Sequence, residues 1–161
     1  TTKATGYPAY FMDTSTCTQN QVMEAAATSQ EALTSLLSSK KKTQGSVSSS
    51  TTTIAGSGYT ANRSYSVYMV VTNSDATEFY ISPIKTGTVS AWGTTTASLG
   101  SQATNSQKRA VECPSTFSSA GWYLVKTKVE KQFYINGTQI ENLMFNGNEV
   151  EHFYINNNQV F

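Results

Sequence analysis

The chain has 161 residues, a formal net charge of +1 and 13% charged residues, about half the usual proportion for a soluble protein. It contains no run of about 18 apolar residues of the kind that spans a membrane. Nor does it carry the basic surplus that would neutralise a phosphate backbone, so neither membrane nor nucleic acid is expected as a partner.

Residues 1–17 read as an extended apolar arm around Tyr7-Pro8-Ala9-Tyr10-Phe11-Met12, because Pro8 biases Tyr7 away from helix. Such an arm either docks on its own domain or reaches for a neighbour. The amino end lacks the charged-then-apolar pattern of a secretory signal, although a mature chain could have lost one.

One helix is predicted over 18–42. Thr18 and Gln21 are spaced as a capping box, Lys40-Lys41-Lys42 lie where the negative end of the helix dipole favours cations, and Gly45 follows as a stop. Val22, Ala26, Ser29, Leu33, Leu36 and Leu37 recur at spacings of three and four, which makes one apolar stripe. Val22, Ala26, Leu33, Leu36 and Leu37 then either pack on the chain's own domain or form a short seam with identical helices.

The Ser/Thr/Gly-rich stretch 43–62 is either a flexible connector or holds a polar strand at Thr51-Thr52-Thr53-Ile54. From Ser64 the pattern becomes β. Strands are expected at Ser64–Val71, Thr77–Ile81, Thr88–Trp92, Gln107–Cys113 and Trp122–Val129, with a turn at Asn73-Ser74-Asp75. Together these suggest an antiparallel, jelly-roll-like β-sandwich over 63–130. Cys17 and Cys113 are either two thiols used as small hydrophobes or one disulfide closing a long loop.

The most informative segment is 131–161, an internal repeat with a period of ten. Its copies are Phe133-Tyr134-Ile135-Asn136-Gly137-Thr138-Gln139-Ile140, Leu143-Met144-Phe145-Asn146-Gly147-Asn148-Glu149-Val150 and Phe153-Tyr154-Ile155-Asn156-Asn157-Asn158-Gln159-Val160. Asn-Gly, or Asn-Asn, suits a two-residue type I′ hairpin turn, where both central residues take positive φ. Side chains alternate along a strand, so Phe133, Ile135, Ile140, Leu143, Phe145, Val150, Phe153, Ile155 and Val160 would share one face of a six-strand meander. Burying a large apolar side chain is worth about 1.5–3 kcal/mol, against a net domain stability of about 5–15 kcal/mol. Nine exposed together would be untenable, so the segment is expected to cover a core or to assemble with copies of itself.

This run resembles the aromatic-x-Asn-Gly-x-x-Val hairpin repeats at the ends of tailed-phage and prophage virion proteins. The resemblance covers 133–161, and the third copy departs from it by having Asn157 where Gly is usual. It implies a non-enzymatic structural role as a head fibre, capsid decoration or tail-associated component, in the virion, with trimers common among fibres. Other virion proteins, and a host surface glycan in host attachment, are the partners it implies.

Catalytic and cofactor chemistry finds little support. The ten acids are dispersed, His152 falls at a predicted turn with no nucleophile elbow near any Ser, and Cys17, Cys113 and His152 fit no zinc spacing. No cofactor and no metal is expected. Trp92, Trp122 and Tyr123 are candidates for glycan stacking, the alternative being core packing. Two further readings stay open: a carbohydrate- or receptor-binding module, and a secreted bacterial surface or filament subunit, which would be extracellular or at the cell surface. An intact Cys17–Cys113 disulfide would favour the second.

Overall fold

The computed structural model describes residues 2–60, 62–89, 109–117 and 121–129, together with the backbone of six short strands between 133 and 159. The chain divides into two units, Thr1–Lys128 and Val129–Phe161. In order, the first unit contains β1 (Thr2–Lys3), β2 (Pro8–Asp13), α1 (Gln19–Thr28), α2 (Gln30–Lys40), β3 (Thr43–Ser46) and β4 (Thr51–Gly56). These are followed by β5 (Ser64–Thr72), β6 (Glu78–Ile81), β7 (Lys85–Thr88), β8 (Arg109–Pro114), β9 (Thr116–Phe117) and β10 (Tyr123–Lys126). The fold is mainly β, and among the described residues every strand pairing is antiparallel.

Runs that are apolar at every position, rather than at every second one, identify strands buried on both faces. Two such runs, in β2 and β5, make the centre of a six-stranded sheet with the order β10-β6-β5-β2-β3, in which β7 also pairs with β5. Phe11 lies opposite Met69 and Tyr10 opposite Val70. Alternation along each strand sends their side chains to two different cores. Ala9, Phe11, Val67, Met69, Val71 and Tyr80 join Ile54, Val111, Cys113 and Phe117 on one face. There the ribbon formed by β4 and β8 supplies the covering side chains. Tyr10, Met12, Tyr68, Val70, Phe79 and Ile81 join Cys17, Val22, Ala26, Leu33 and Leu37 of the helical segment on the other.

The arm expected over 1–17 is therefore largely an interior element: β2 pairs with β3 on one side and β5 on the other. The stretch expected to be a connector or to hold one strand holds two. β3 continues the main sheet and β4 begins the covering ribbon. Thr-rich strands suit this position because β-branched residues tolerate one solvated face, and β4 alternates exposed and covered positions over its first half.

The single helix over 18–42 is corrected to two. Ser29 takes extended backbone angles, φ −167° and ψ 168°, and serves both helices at once. Its backbone N–H donates to the Ala25 carbonyl and its side chain accepts from the Ala32 N–H at 3.0 Å. A serine hydroxyl competes for backbone groups more effectively at a cap than within a helix, so the apolar stripe runs on while the backbone breaks. The capping box at Thr18 and Gln21 is formed. Lys41 donates from Nζ to the Ser38 carbonyl, meeting one of the free carbonyls at the end of α2.

In the second unit, β11 (Phe133–Ile135) pairs with β12 (Thr138–Ile140), β13 (Met144–Phe145) with β14 (Asn148–Glu149), and β15 (Tyr154–Ile155) with β16 (Asn158–Gln159). Tyr134 lies opposite Gln139, Met144 opposite Glu149 and Tyr154 opposite Gln159, so the ten-residue period of the sequence is also the period of the pairing. Among the described residues each strand pair is a separate two-stranded sheet. The turns expected at Asn136-Gly137, Asn146-Gly147, Asn156-Asn157, Glu141-Asn142 and Glu151-His152, which would join these pairs into one meander, lie outside the described residues.

Candidate functional site

Contact surfaces are the places to look for function in a chain of this composition, and the edge of the main sheet is the first. Gly121, at φ +105°, makes the turn that brings the chain into β10, a conformation that side-chain-bearing residues rarely adopt. Beyond β10 the described sheet ends, since β10 pairs only with β6. Tyr123 is 65% exposed and Leu124 50%. Trp122, by contrast, is half-buried against the first core, with its ring 4.9 Å from Phe117, which in turn stacks on Tyr80 at 4.0 Å. Of the three residues considered for glycan stacking, Tyr123 is the outward one, Trp122 packs inward, and Trp92 lies outside the described residues.

The helix-stripe residues face the chain's own sheet. Val22, Leu33 and Leu37 are wholly buried, Ala26 nearly so, and Leu36 partly. Of the two readings of the stripe, packing on its own domain is the geometry found. The helices are pinned there by polar contacts as well. Gln19 donates from Nε2 to the Ser82 carbonyl at 2.7 Å, and the Lys128 N–H donates to the Ala26 carbonyl at 2.7 Å.

For the nine residues of the apolar face on 131–161, the structure gives backbone positions for five: Phe133, Ile135, Ile140, Phe145 and Ile155. Leu143, Val150, Phe153 and Val160 lie outside the described residues. Phe133 and Ile140 are direct partners in the first hairpin.

Sequence reasoning missed a polar cluster beneath β4. Asp13, 3% exposed, accepts from the Ser15 N–H and hydroxyl at 2.8 and 2.7 Å through Oδ1. Near it lies Tyr59, whose ring meets Tyr65 edge-on at 4.3 Å and carries the Lys42 ammonium 5.7 Å above its face. Burial foremost, and then the Asp13 carboxylate, push the Tyr59 hydroxyl above its ordinary pKa. Arg109 is also buried there, and loss of hydration lowers its guanidinium while Tyr59 opposes that shift. No signal in the sequence marks this cluster, because its members come from four separate segments and none belongs to a motif.

The two cysteines fall in different cores, Cys17 among the helices and Cys113 beneath the ribbon, and both are free. A disulfide needs Cα atoms within about 7 Å, which positions on opposite faces of one sheet do not offer. Burial pushes the Cys113 thiol up to about 12, the behaviour of an inert packing residue. Among the described residues no three His, Cys, Asp or Glu side chains gather as metal ligands, and no helix is long and apolar enough to cross a membrane. Comparison with family models, curated proteins and solved structures finds no match for the chain.

Proposed function

We propose that this chain is a non-enzymatic structural protein of a phage virion, a head-fibre, decoration or tail-associated component. It would act by assembling with copies of itself, as a trimer, and by docking to other virion proteins. The observation that carries this reading is the register of the C-terminal hairpins. Three successive units of ten residues pair with one spacing, and hairpins this short are marginal unless something covers them. A repeated, aromatic-rich hairpin is suited to stacking along an assembly axis. The two β layers around the first core are read as the sandwich module of such a protein.

Its test is the oligomeric state of the full chain and of a chain ending at Val129. Loss of the oligomer on truncation supports the assembly role, and a monomeric full chain refutes it.

A second reading, a carbohydrate- or host-receptor-binding module, is favoured by one observation: Tyr123 is 65% exposed on the outermost described strand. A glycan array distinguishes it, because a binder yields hits that Tyr123→Ala abolishes.

A further inference from the structure

β10 stands at an edge of the described sheet but has the sequence of a central strand. Trp122-Tyr123-Leu124-Val125 is apolar at every position, the pattern that in β2 and β5 accompanies burial on both faces. The other strands with an open side among the described residues differ. β3 reads Thr43-Gln44-Gly45-Ser46 and β7 reads Lys85-Thr86-Gly87-Thr88, polar sequences that discourage further pairing.

Among the described residues four large apolar side chains are exposed: Ile84, Tyr123, Leu124 and Val129. Two are on β10, and Val129 follows shortly after its end. Ile84 comes next after Pro83, whose Cγ lies 3.3 Å from where a Cβ on Gly121 would sit, just before β10. The exposed apolar surface is thus gathered along one strand.

The backbone says what kind of partner fits. The Thr127 N–H donates to the Thr77 carbonyl at 2.9 Å, and Val125 opposite Phe79 and Tyr123 opposite Ile81 continue that alternate set. Leu124 and Lys126 therefore turn their N–H and carbonyl groups away from β6, where no described strand meets them. Leu124 lies opposite Tyr80 of the first core and Tyr123 opposite Ile81 of the second, so the two exposed side chains leave on opposite faces of the sheet. A flat surface covers one face only, whereas a neighbouring strand meets both.

We propose that β10 pairs antiparallel with β10 of a second copy of this chain, extending the sheet across a two-fold axis at Leu124. The occupant follows from self-complementarity. In this register Leu124 lies opposite the partner's Leu124, and Tyr123 opposite the partner's Val125, an aromatic against a β-branched side chain. Lys126 falls opposite the partner's Trp122, so like charges stay apart, and its ammonium keeps its ion pair with Glu78. An axis at Val125 would set Leu124 against a lysine, and an axis at Lys126 would set two lysines face to face, which repel. A pairing this short buries less than a stable interface needs, so its dissociation constant is about 0.1–1 mM. Copies gathered in one assembly reach such concentrations locally. The contact lies within Thr1–Lys128 and asks nothing of the hairpins.

The test uses the full chain carrying Leu124→Cys or Lys126→Cys under mild oxidation, the native Cys17 and Cys113 being buried. Directly opposed, hydrogen-bonded residues have Cα atoms about 5.5 Å apart, within reach of a disulfide. The two copies of residue 126 are instead offset by four residues of strand, about 13 Å. At a chain concentration of about 1 mM, Leu124→Cys is expected to give linked pairs of chains on a non-reducing gel, and Lys126→Cys about tenfold fewer. Sedimentation equilibrium of the unaltered chain should show its mass growing beyond the micromolar value over the same range. Leu124→Lys, which opposes two ammonium groups, abolishes that growth and leaves the micromolar mass and the circular dichroism unchanged. Failure of Leu124→Cys to link, equal linking by Lys126→Cys, or mass growth that survives Leu124→Lys overturns the proposal. So does a mass that never grows, which leaves the edge to a strand of a different protein.

Discussion

Tyr68 donates its phenolic hydrogen to the carbonyl of Cys17 at 2.8 Å, with both residues buried in the core beneath the helices. This bond joins the middle strand of the sheet to the loop that launches α1, where the carbonyl is withdrawn from water.

Tyr68→Phe removes the donor and leaves that carbonyl dry and unsatisfied, a loss of about 1–3 kcal/mol. Equilibrium denaturation should show the midpoint falling with an unchanged slope. A variant as stable as the parent would mean that the carbonyl finds another donor.

Alkaline pH acts through the same residue. Burial raises the pKa of Tyr68 and of Tyr59 above the ordinary value, which is about 10 in an unfolded chain. The folded state therefore holds these protons more tightly than the unfolded state does. Their contribution to stability is complete below about pH 10 and is lost as pH rises above it. Phenolate absorbance should show these two tyrosines ionising together with unfolding, at a pH above the value of about 10 for an unfolded chain. Ionisation of every tyrosine near pH 10 in a chain that keeps its native circular dichroism would contradict this.

Ser29 carries the break between the helices. Ser29→Ala deletes the acceptor for the Ala32 N–H and should cost about 1 kcal/mol, as loss of an N-cap usually does. Thermal denaturation reads it, and helical content stays the same because both helices remain packed on the sheet.

Two glycines in the β3–β4 region should respond differently to alanine. At Gly56 a Cβ would lie 2.6 and 2.7 Å from the Phe11 ring, and at Gly45 it would lie 2.5 Å from the Cδ1 methyl of Ile54. A flexible methyl can turn aside, whereas a ring locked in the core cannot. Gly56→Ala is expected to lose about 1–3 kcal/mol as overpacking does, and Gly45→Ala clearly less. Chemical denaturation of the pair decides it, and the reverse order would show that the Phe11 site yields more easily than the Ile54 site.

How far the fold could be read from sequence depended on the kind of signal. The strand at Ser64 was legible from its β-branched and aromatic run, and the capping box at Thr18 from its spacing. The strand Pro8–Asp13 looked like an arm because burial on both faces erases the alternation that marks a strand. Only partners distant in sequence, Val67 to Val71, make it central. The helix break at Ser29 was hidden because the apolar stripe keeps its spacing across it. The Asp13–Tyr59–Arg109 cluster had no signature at all. It exists only once β8 has paired with β4, a contact between segments more than fifty residues apart.

The central claim is that the hairpins of 131–161 are an assembly element, and light scattering coupled to size exclusion tests it most directly. The full chain should elute with the mass of a trimer at micromolar concentration, and the chain ending at Val129 should elute as a folded monomer. A monomeric full chain, or a truncated chain that keeps the same oligomer, would contradict the account.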